Sequence, residues 1–161
     1  MKAEDEYHID DKMMKIEVNL DDTPGEWLGF VMEELFDKGA NDVYYTPIYM
    51  KKNRPGVLLQ VLCSEEELDI MKEVILRETT TLGIRYHPLT VERSERKFKT
   101  VETKFGPVPV KVGLKNGEVF QLAPEYEECR TIAKKEKVPL KVVYQEVWKS
   151  IESYEGGEEY E

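Results

Sequence analysis

Residues 14–36 read MKIEVNLDDTPGEWLGFVMEELF, and the spacing of their apolar side chains changes halfway along. Ile16, Val18 and Leu20 alternate with polar residues, a pattern typical of a strand with one buried face. After Pro24 the apolar residues recur every three or four positions, as in an amphipathic helix. Thr23-Pro24-Gly25-Glu26 fits a capping box with Thr23 as the N-cap. The stretch therefore predicts a strand followed at once by a helix.

Two more strands, a second helix and a fourth strand are predicted next. Residues 42–51 and 55–63 are rich in Val, Tyr, Ile and Leu, as in two strands joined by a turn. A second helix is predicted from Ser64, ending over residues 79–83, before a strand from Ile84. The order β-α-β-β-α-β is that of a ferredoxin-like sandwich, in which two helices cover one face of a four-stranded sheet.

Beyond residue 95 the pattern changes to hairpins and helices. Phe105-Gly106 separates one pair of strands, and Asn116-Gly117 is a strong two-residue turn in the next pair. Helices are predicted over residues 125–135 and from Pro139 to residue 151. The expected fold class is α+β: a ferredoxin-like βαββαβ sandwich followed by a β-hairpin extension and two C-terminal helices.

The chain is expected to have four parts. An acidic, flexible leader covers residues 1–13, and the ferredoxin-like domain covers residues 14–95. The hairpin and two-helix extension, packed on that domain, covers residues 96–152. An acidic, disordered tail covers residues 153–161.

The formal charge of −10 comes mainly from the two ends of the chain. Residues 1–12 hold five acids and two bases, and residues 152–161 hold five acids and no base, which leaves about −2 for the rest. The basic residues of 93–104 are interrupted by glutamates, as on a solvent-facing strand. Charge therefore gives no support for binding to nucleic acid.

Several classes of protein and site are disfavoured. The sequence has no apolar run of about 18 residues and no signal peptide, so we expect a cytoplasmic protein without membrane association. Cys63 and Cys129 are candidates for soft metal ligands, but their apolar surroundings favour free, buried thiols. Neither they nor His8 and His87 lie at the spacing of a metal site or a catalytic triad, and there is no P-loop or dinucleotide fingerprint.

Two basic segments predict a site for a phosphorylated ligand. Lys51-Lys52-Asn53-Arg54-Pro55-Gly56 lies in the turn between two predicted strands, and residues 77–85, RETTTLGIR, follow the second helix. Arginine binds phosphate through two parallel hydrogen bonds, lysine acts as a compact charge, and glycine turns supply backbone amides. Each segment alone also fits an ordinary solvated loop, but the two together favour a site.

Asp21-Asp22 lies between the first strand and the first helix. Adjacent carboxylates at a strand end are suitable ligands for a hard cation such as Mg²⁺ or Mn²⁺. Acids just before a helix also complement its dipole, which is the simpler explanation. The basic segments favour the metal, because nucleoside triphosphates are usually bound with a divalent ion.

A further candidate lies at the start of the third predicted helix. Glu125-Tyr126-Glu127-Glu128-Cys129-Arg130 places acids in the first helical turn, where they complement the helix dipole. Tyr126 and Arg130 are candidates to line a pocket.

Six motifs occur, in one order, over about residues 14–150. They are Asn19-Leu20-Asp21-Asp22, Gly39-Ala40-Asn41-Asp42-Val43-Tyr44, Thr46-Pro47-Ile48, residues 50–56, residues 77–85, and Ala123-Pro124-Glu125-Tyr126-Glu127-Glu128-Cys129-Arg130. With them the chain resembles the C-terminal half of the nickel-insertion proteins, or nickel chelatases. Proteins of that family complete the nickel-pincer nucleotide cofactor used by lactate racemase.

The resemblance implies a CTP-dependent nickel insertase of the lyase class. Its substrates would be Ni²⁺ and a pyridinium bis-thiocarboxylate mononucleotide, with CTP and Mn²⁺ or Mg²⁺ as cofactors. On that reading the metal ligands are Asp21 and Asp22. The nucleotide-binding residues are Lys51, Lys52, Arg54, Thr79, Thr80, Thr81, Arg85 and Arg130.

The sequence starts at the C-terminal half of the family pattern, so we expect incomplete activity from this chain alone. Its expected partners are the N-terminal half of the nickel-insertion protein, if that is separate, and other copies of itself in a homo-oligomer. The alternative function is a non-catalytic oligomerising module that binds a small anionic effector, because one sandwich fold supports many functions.

Overall fold

The computed structural model describes residues 6–154, and the predictions for residues 1–5 and 155–161 lie outside that range. The chain forms two compact units. The first unit is Ile9–Val91, and the second unit comprises the residues before and after it.

The first unit is the predicted ferredoxin-like sandwich. Its elements are β1 (His8–Leu20), α1 (Gly25–Asp37), β2 (Asp42–Met50), a 3₁₀ turn (Lys51–Asn53), β3 (Arg54–Ser64), a second 3₁₀ turn (Glu65–Glu67), α2 (Leu68–Glu78) and β4 (Arg85–Arg93). The strands form one sheet in the order β2-β3-β1-β4, and β3 runs antiparallel to both β1 and β2. The fold class predicted from the sequence is confirmed.

The core of the first unit lies between the sheet and its two helices. Ile16, Val18 and Leu20 are all buried, as their alternation predicts. They pack with buried residues of α1, β3 and α2, including Leu35, Leu59 and Met71. This core fixes the ends of the strands, where the candidate site lies.

Two predictions about the first unit are wrong in detail. Strand β1 begins at His8, so residues 8–13 belong to the strand and not to a flexible leader. Met13, for example, is held in the sheet because it pairs with Ser64 of β3 and is buried. The capping box is absent: the N-cap is Pro24, without a side-chain cap, and the Thr23 hydroxyl bonds to Thr80 instead.

The second unit contains the hairpins and helices predicted after residue 95. Strands β5 (Glu95–Thr103), β6 (Gly106–Lys115) and β7 (Glu118–Pro124) form an antiparallel sheet in that order, followed by α3 (Tyr126–Glu136) and α4 (Leu140–Tyr154). The core includes Val108, Val110, Cys129 and Val147. Because α4 extends to Tyr154, residues 153 and 154 are helical and not part of a disordered tail. None of the helices in the described range is both long and apolar enough to cross a membrane.

Candidate functional site

The candidate site lies at one end of the four-stranded sheet, where β1 ends and where β3 and β4 begin. Leu20 pairs with Val57, and Arg54 pairs with Met50, so the start of β3 lies beside the residues that follow β1. We name the polar residues gathered at this edge the strand-end cluster. Its members are Asn19, Asp21, Asp22, Thr23, Arg54, Thr80 and Arg85.

Gly56 allows β3 to lie close to the residues that follow β1. A Cβ atom at this position would lie 2.5 Å from the carbonyl oxygen of Leu20 and 3.3 Å from the Cα of Asp21. No ordinary side chain fits that space, since carbon and oxygen in non-bonded contact need more than 3 Å. The close approach holds the Asp21 backbone against the start of β3.

Asp21 and Arg54 form an ion pair across the two strands. An Nη atom of Arg54 lies 3.3 Å from Oδ2 of Asp21. The Asp21 side chain is 18% exposed and the Arg54 side chain is 57% exposed. The carboxylate is thus held in place, while most of the guanidinium remains accessible to a ligand.

Asp22 belongs to a chain of hydroxyl groups. The Thr80 hydroxyl donates to Oδ1 of Asp22 at 2.5 Å, and the oxygens of Thr80 and Thr23 lie 2.7 Å apart. Since the single Thr80 proton points to Asp22, the Thr23 hydroxyl donates to Thr80. The backbone N–H of Thr80 in turn donates to the Thr23 oxygen at 3.5 Å. The chain orients one carboxylate oxygen and ties the α2–β4 loop to the end of β1.

The other two threonines of the loop have internal partners. The Thr79 hydroxyl donates to the carbonyl of Ile75 at 2.7 Å, and the Thr81 hydroxyl donates to the carbonyl of Gly83 at 2.9 Å. The N–H of Thr81 donates to the Thr79 oxygen. Of the three predicted threonines, Thr80 is therefore the one joined to the acidic pair, while Thr79 and Thr81 shape the loop.

Arg85 contacts the cluster through a residue to which the sequence analysis gave no role. One Nη of Arg85 donates to Oδ1 of Asn19 at 2.7 Å. Asn19 is exposed at the end of β1 within the motif Asn19-Leu20-Asp21-Asp22. The polar amide of Asn19, near the acidic pair in this motif, is the sequence feature that could have indicated its role. Thr23 was also missed, because its position before a helix suggested a cap.

Lys51 and Lys52 lie in the 3₁₀ turn that leads into Arg54, at the same end of the sheet. Both are exposed. Lys52 and Asn53 have φ values of 63° and 56°, in the left-handed region that residues other than glycine rarely adopt. Such strained turns are often found at binding sites. The turn adds two accessible ammonium groups to the edge that holds Arg54.

Arg130 has a different setting. It lies on α3 of the second unit, where it forms an ion pair of 2.9 Å with Glu127, three residues earlier on the same helix. Its role in nucleotide binding stays a prediction.

The acidic pair fits a metal ion that a nucleotide brings with it. Within residues 6–154 no group of three or more Asp, Glu, His or Cys side chains is arranged to hold a metal ion. Mg²⁺ bound with a nucleotide, however, usually takes one or two carboxylates, and phosphate oxygens and water complete its shell. Asp21 and Asp22 supply that number of carboxylates beside the cations that phosphates need.

Comparison with known proteins gives one consistent result. The model of the nickel insertion protein family matches residues 1–144. The pyridinium-3,5-bisthiocarboxylic acid mononucleotide nickel insertion protein of Thermotoga petrophila is 47% identical over 141 residues, which are 88% of this chain and 36% of that protein. The chain thus spans about a third of the length of this curated relative.

Two solved structures are also similar. One is LarC2, described as the C-terminal domain of a cyclometallase involved in the synthesis of the NPN cofactor of lactate racemase; it is 39% identical, with a TM-score of 0.84 over 91% of this chain and 99% of that one. The other is protein MK0293 from Methanopyrus kandleri, 26% identical, with a TM-score of 0.65 over 84% of this chain and 85% of that one.

Proposed function

The chain belongs to the nickel insertion protein family, and from that premise we propose that its strand-end cluster binds CTP with Mn²⁺ or Mg²⁺ during nickel insertion. The reaction places Ni²⁺ into a pyridinium bis-thiocarboxylate mononucleotide and forms the nickel-pincer cofactor. The names of the relatives support the substrate and the cofactor. The CTP dependence and the lyase class follow from the family resemblance of the sequence motifs.

The assignment of the site rests on one observation: acidic and basic side chains lie together at one edge of the sheet. Asp21 pairs with Arg54, Asp22 is the next residue in the chain, and the turn before Arg54 contributes Lys51 and Lys52. A nucleotide with its divalent ion needs both charges, because carboxylates bind the ion while guanidinium and ammonium groups neutralise phosphate oxygens. Arg85, fixed by Asn19, adds a further cation.

The Asp21–Arg54 ion pair gives the site a way to exchange partners. Arg54 holds Asp21 at 3.3 Å with a largely accessible guanidinium. With nucleotide bound, Arg54 would hold the phosphates, and Asp21 would be free to hold the divalent ion. Asp22 keeps one oxygen on Thr80 and offers the other. The nucleotide and the ion therefore bind more tightly together than either does alone.

This chain corresponds to part of its curated relatives. We therefore expect nucleotide binding and the completion of nickel insertion to need different parts of such a protein. Because the matched part is 36% of the Thermotoga petrophila protein, we expect this chain alone to bind nucleotide without completing insertion. The remainder of such a protein, supplied in trans, would restore turnover. Full turnover by this chain unaided, followed by the absorbance change on nickel binding with the precursor and CTP, would refute that expectation.

Calorimetric titration of CTP with and without Mn²⁺ tests the site. We expect binding that depends on the metal and prefers CTP to ATP, GTP and UTP. Asp21→Asn and Asp22→Asn should each abolish the metal-dependent part, since an amide is a much weaker ligand for a hard cation. Asp69→Asn is the matched control, because Asp69 is an exposed acid at the start of α2, paired only along its helix with Lys72.

The same titration decides between this proposal and a simple anion-binding module. Unchanged nucleotide binding in both Asn variants would favour the non-catalytic module, since such a site needs only the cations. Equal affinity for all four nucleotides would contradict the preference for CTP.

A further inference from the structure

The outward face of the three-stranded sheet in the second unit carries two exposed phenylalanines. Phe98 of β5 is 56% exposed and Phe120 of β7 is 58% exposed. Large aromatic side chains bury 150–250 Å² in a core, so leaving two of them half in water on one small sheet forgoes substantial stabilisation. Exposed aromatic pairs of this kind are a common feature of binding surfaces.

Strand register places basic residues on the same face. Val108, Val110 and Val112 of β6 point into the core, so Lys111 and Gly113 between and after them point outward. Phe98 pairs with Lys111, and Arg96 pairs with Gly113. Residues paired across antiparallel strands share a face. We name Arg96, Phe98, Lys111, Gly113 and Phe120 the aromatic face.

Gly113 and a β-bulge bring the ring of Phe120 onto this face. The register between β6 and β7 shifts at Gly113 and Leu114, leaving Phe120 as the extra residue. A Cβ atom at Gly113 would lie 3.0 Å from Cζ of Phe120, so the ring lies directly over the glycine. The bulge re-aims the side chain, a common role of such irregularities.

One basic side chain of this face, that of Lys111, lies beside a ring. The Lys111 ammonium lies 5.9 Å from the centre of the Phe98 ring and 3.1 Å from Oε1 of Glu125. Both Lys111 and Phe98 remain partly exposed. The face therefore combines two aromatic surfaces with an ammonium group that Phe98 and Glu125 share.

Two aromatic rings with basic residues on the same face suit a ligand that has a flat ring and acidic groups. A flat ring stacks on phenylalanine, and a positively charged ring gains a cation–π attraction as well. Negative groups on the ring or on its ribose phosphate then meet Arg96 and Lys111. A long nucleic acid would make similar stacks, but two basic residues are few for a polyanion, whose binding depends on many phosphate contacts.

We infer that the aromatic face binds the pyridinium mononucleotide substrate, separately from the nucleotide bound by the strand-end cluster. The name of the Thermotoga petrophila relative gives that substrate a pyridinium ring, two thiocarboxylic acids and a nucleotide phosphate. The cationic ring suits Phe98 and Phe120, and the acidic groups suit Arg96 and Lys111. This inference rests on the proposed function, because it assumes that the chain handles the substrate of its relatives.

Titration of the full chain with nicotinic acid mononucleotide, a pyridinium mononucleotide with one ring carboxylate, tests the inference by calorimetry. Phe98→Ala and Phe120→Ala should each weaken binding by about fivefold or more, as loss of one aromatic stacking partner generally does. Phe98→Tyr and Phe120→Tyr keep a ring and should bind within about twofold of the original chain. Phe36→Ala, at an exposed phenylalanine of α1 in the first unit, is the matched control and should change nothing.

The outcomes separate this inference from the proposed function. No binding of the probe by a chain that still binds CTP with Mn²⁺ would overturn the inference and leave the strand-end site standing. Probe binding that depends on both rings supports the inference even if CTP does not bind. Binding of a 12-nucleotide single-stranded RNA that depends on both rings, without binding of the mononucleotide, would overturn it in favour of a nucleic-acid surface. Probe binding that is equal in the Ala and Tyr variants would also overturn it.

Discussion

Gly56, beside the strand-end cluster, and Gly113, in the aromatic face, both allow a close approach, but to different neighbours. Neither has a positive φ, so each is glycine because of the space around it. Beside Gly56 the space is taken by the backbone carbonyl of Leu20, whereas beside Gly113 it is taken mainly by the exposed ring of Phe120. A backbone carbonyl in a sheet cannot move away, and a surface ring can. A side chain at Gly56 should therefore disturb the backbone of the sheet, whereas a side chain at Gly113 should mainly displace a surface ring.

Gly56→Ala should have the largest effect. The new Cβ would lie 2.5 Å from the Leu20 oxygen, so β1 and β3 must separate locally. We expect a loss of about 1–3 kcal/mol in the free energy of unfolding, as for other overpacked positions, together with loss of CTP binding. Urea denaturation and calorimetry measure the two effects.

Each unit has its own fluorescent reporter for that experiment. The two tryptophans of the chain are Trp27 in α1 and Trp148 in α4, so Trp148→Phe leaves a signal from the first unit alone. Gly29→Ala is the matched control, because nothing lies within 4 Å of a Cβ there and alanine favours a helix by about 1 kcal/mol. It should stabilise the first unit. A Gly56→Ala chain with unchanged stability and CTP affinity would contradict the view that this site is built into the fold.

Thr80→Val should have the next largest effect. The change removes the proton given to Asp22 and the acceptor used by Thr23, while keeping the shape of the side chain. A hydrogen bond to a charged group contributes about 1.5–3 kcal/mol, so metal-dependent CTP affinity should fall by about tenfold or more. Thr80→Ser keeps the hydroxyl and should restore most of the affinity. Equal loss in both variants would show that the methyl group matters and the hydroxyl does not.

The strand-end cluster also shows what the sequence could predict. Alternation in β1 and the turn residues predicted the order of elements, and the element order brought Asp21, Asp22 and Arg54 to one edge. The hydrogen bonds between loops were not predictable, because the contact of Thr23 with Thr80 joins residues 57 positions apart. Local pattern favoured a helix cap for Thr23, and a tertiary contact replaced it.

Gly113→Ala should separate binding from stability in the second unit. The new Cβ would displace the Phe120 ring and would lie 3.2 Å from Cβ of Gln121, a contact that a small backbone shift relieves. We expect the free energy of unfolding to change by about 1 kcal/mol or less, because alanine also loses less entropy than glycine in a strand. Binding of nicotinic acid mononucleotide should fall about as far as in Phe120→Ala. Unfolding of the second unit, followed by Trp148 in a Trp27→Phe background, would instead place Gly113 in the same class as Gly56.

The aromatic face was not predicted, and the reason is physical. Alternation along β6 indicates which residues face the core, but the extra residue of a bulge shifts every later side chain of β7 relative to β6. Phe120 therefore could not be assigned to a face before the register was known. The sequence predicts that Arg96 and the neighbouring lysines lie on a solvated strand. That prediction agrees with their exposure, but it does not include the phenylalanine rings on the same face.

The two buried cysteines give the smallest expected effect and compare the two units in their native state. Cys63 of the first unit and Cys129 of the second are both fully buried free thiols. Burial, with a contribution from the charge of Glu67, raises the pKa of Cys63 to about 11, and burial also raises the pKa of Cys129. At pH 8 about one Cys63 in a thousand is a thiolate, and both side chains are covered by the core, so both thiols should react with iodoacetamide far more slowly than in urea. Because the raised pKa of Cys63 keeps its thiolate scarce, its labelling rate should increase about tenfold per pH unit up to pH 10 while the fold persists. Mass spectrometry of labelled peptides measures each thiol separately, and rapid labelling of Cys129 alone at pH 8 would show that the second unit opens while the first stays closed.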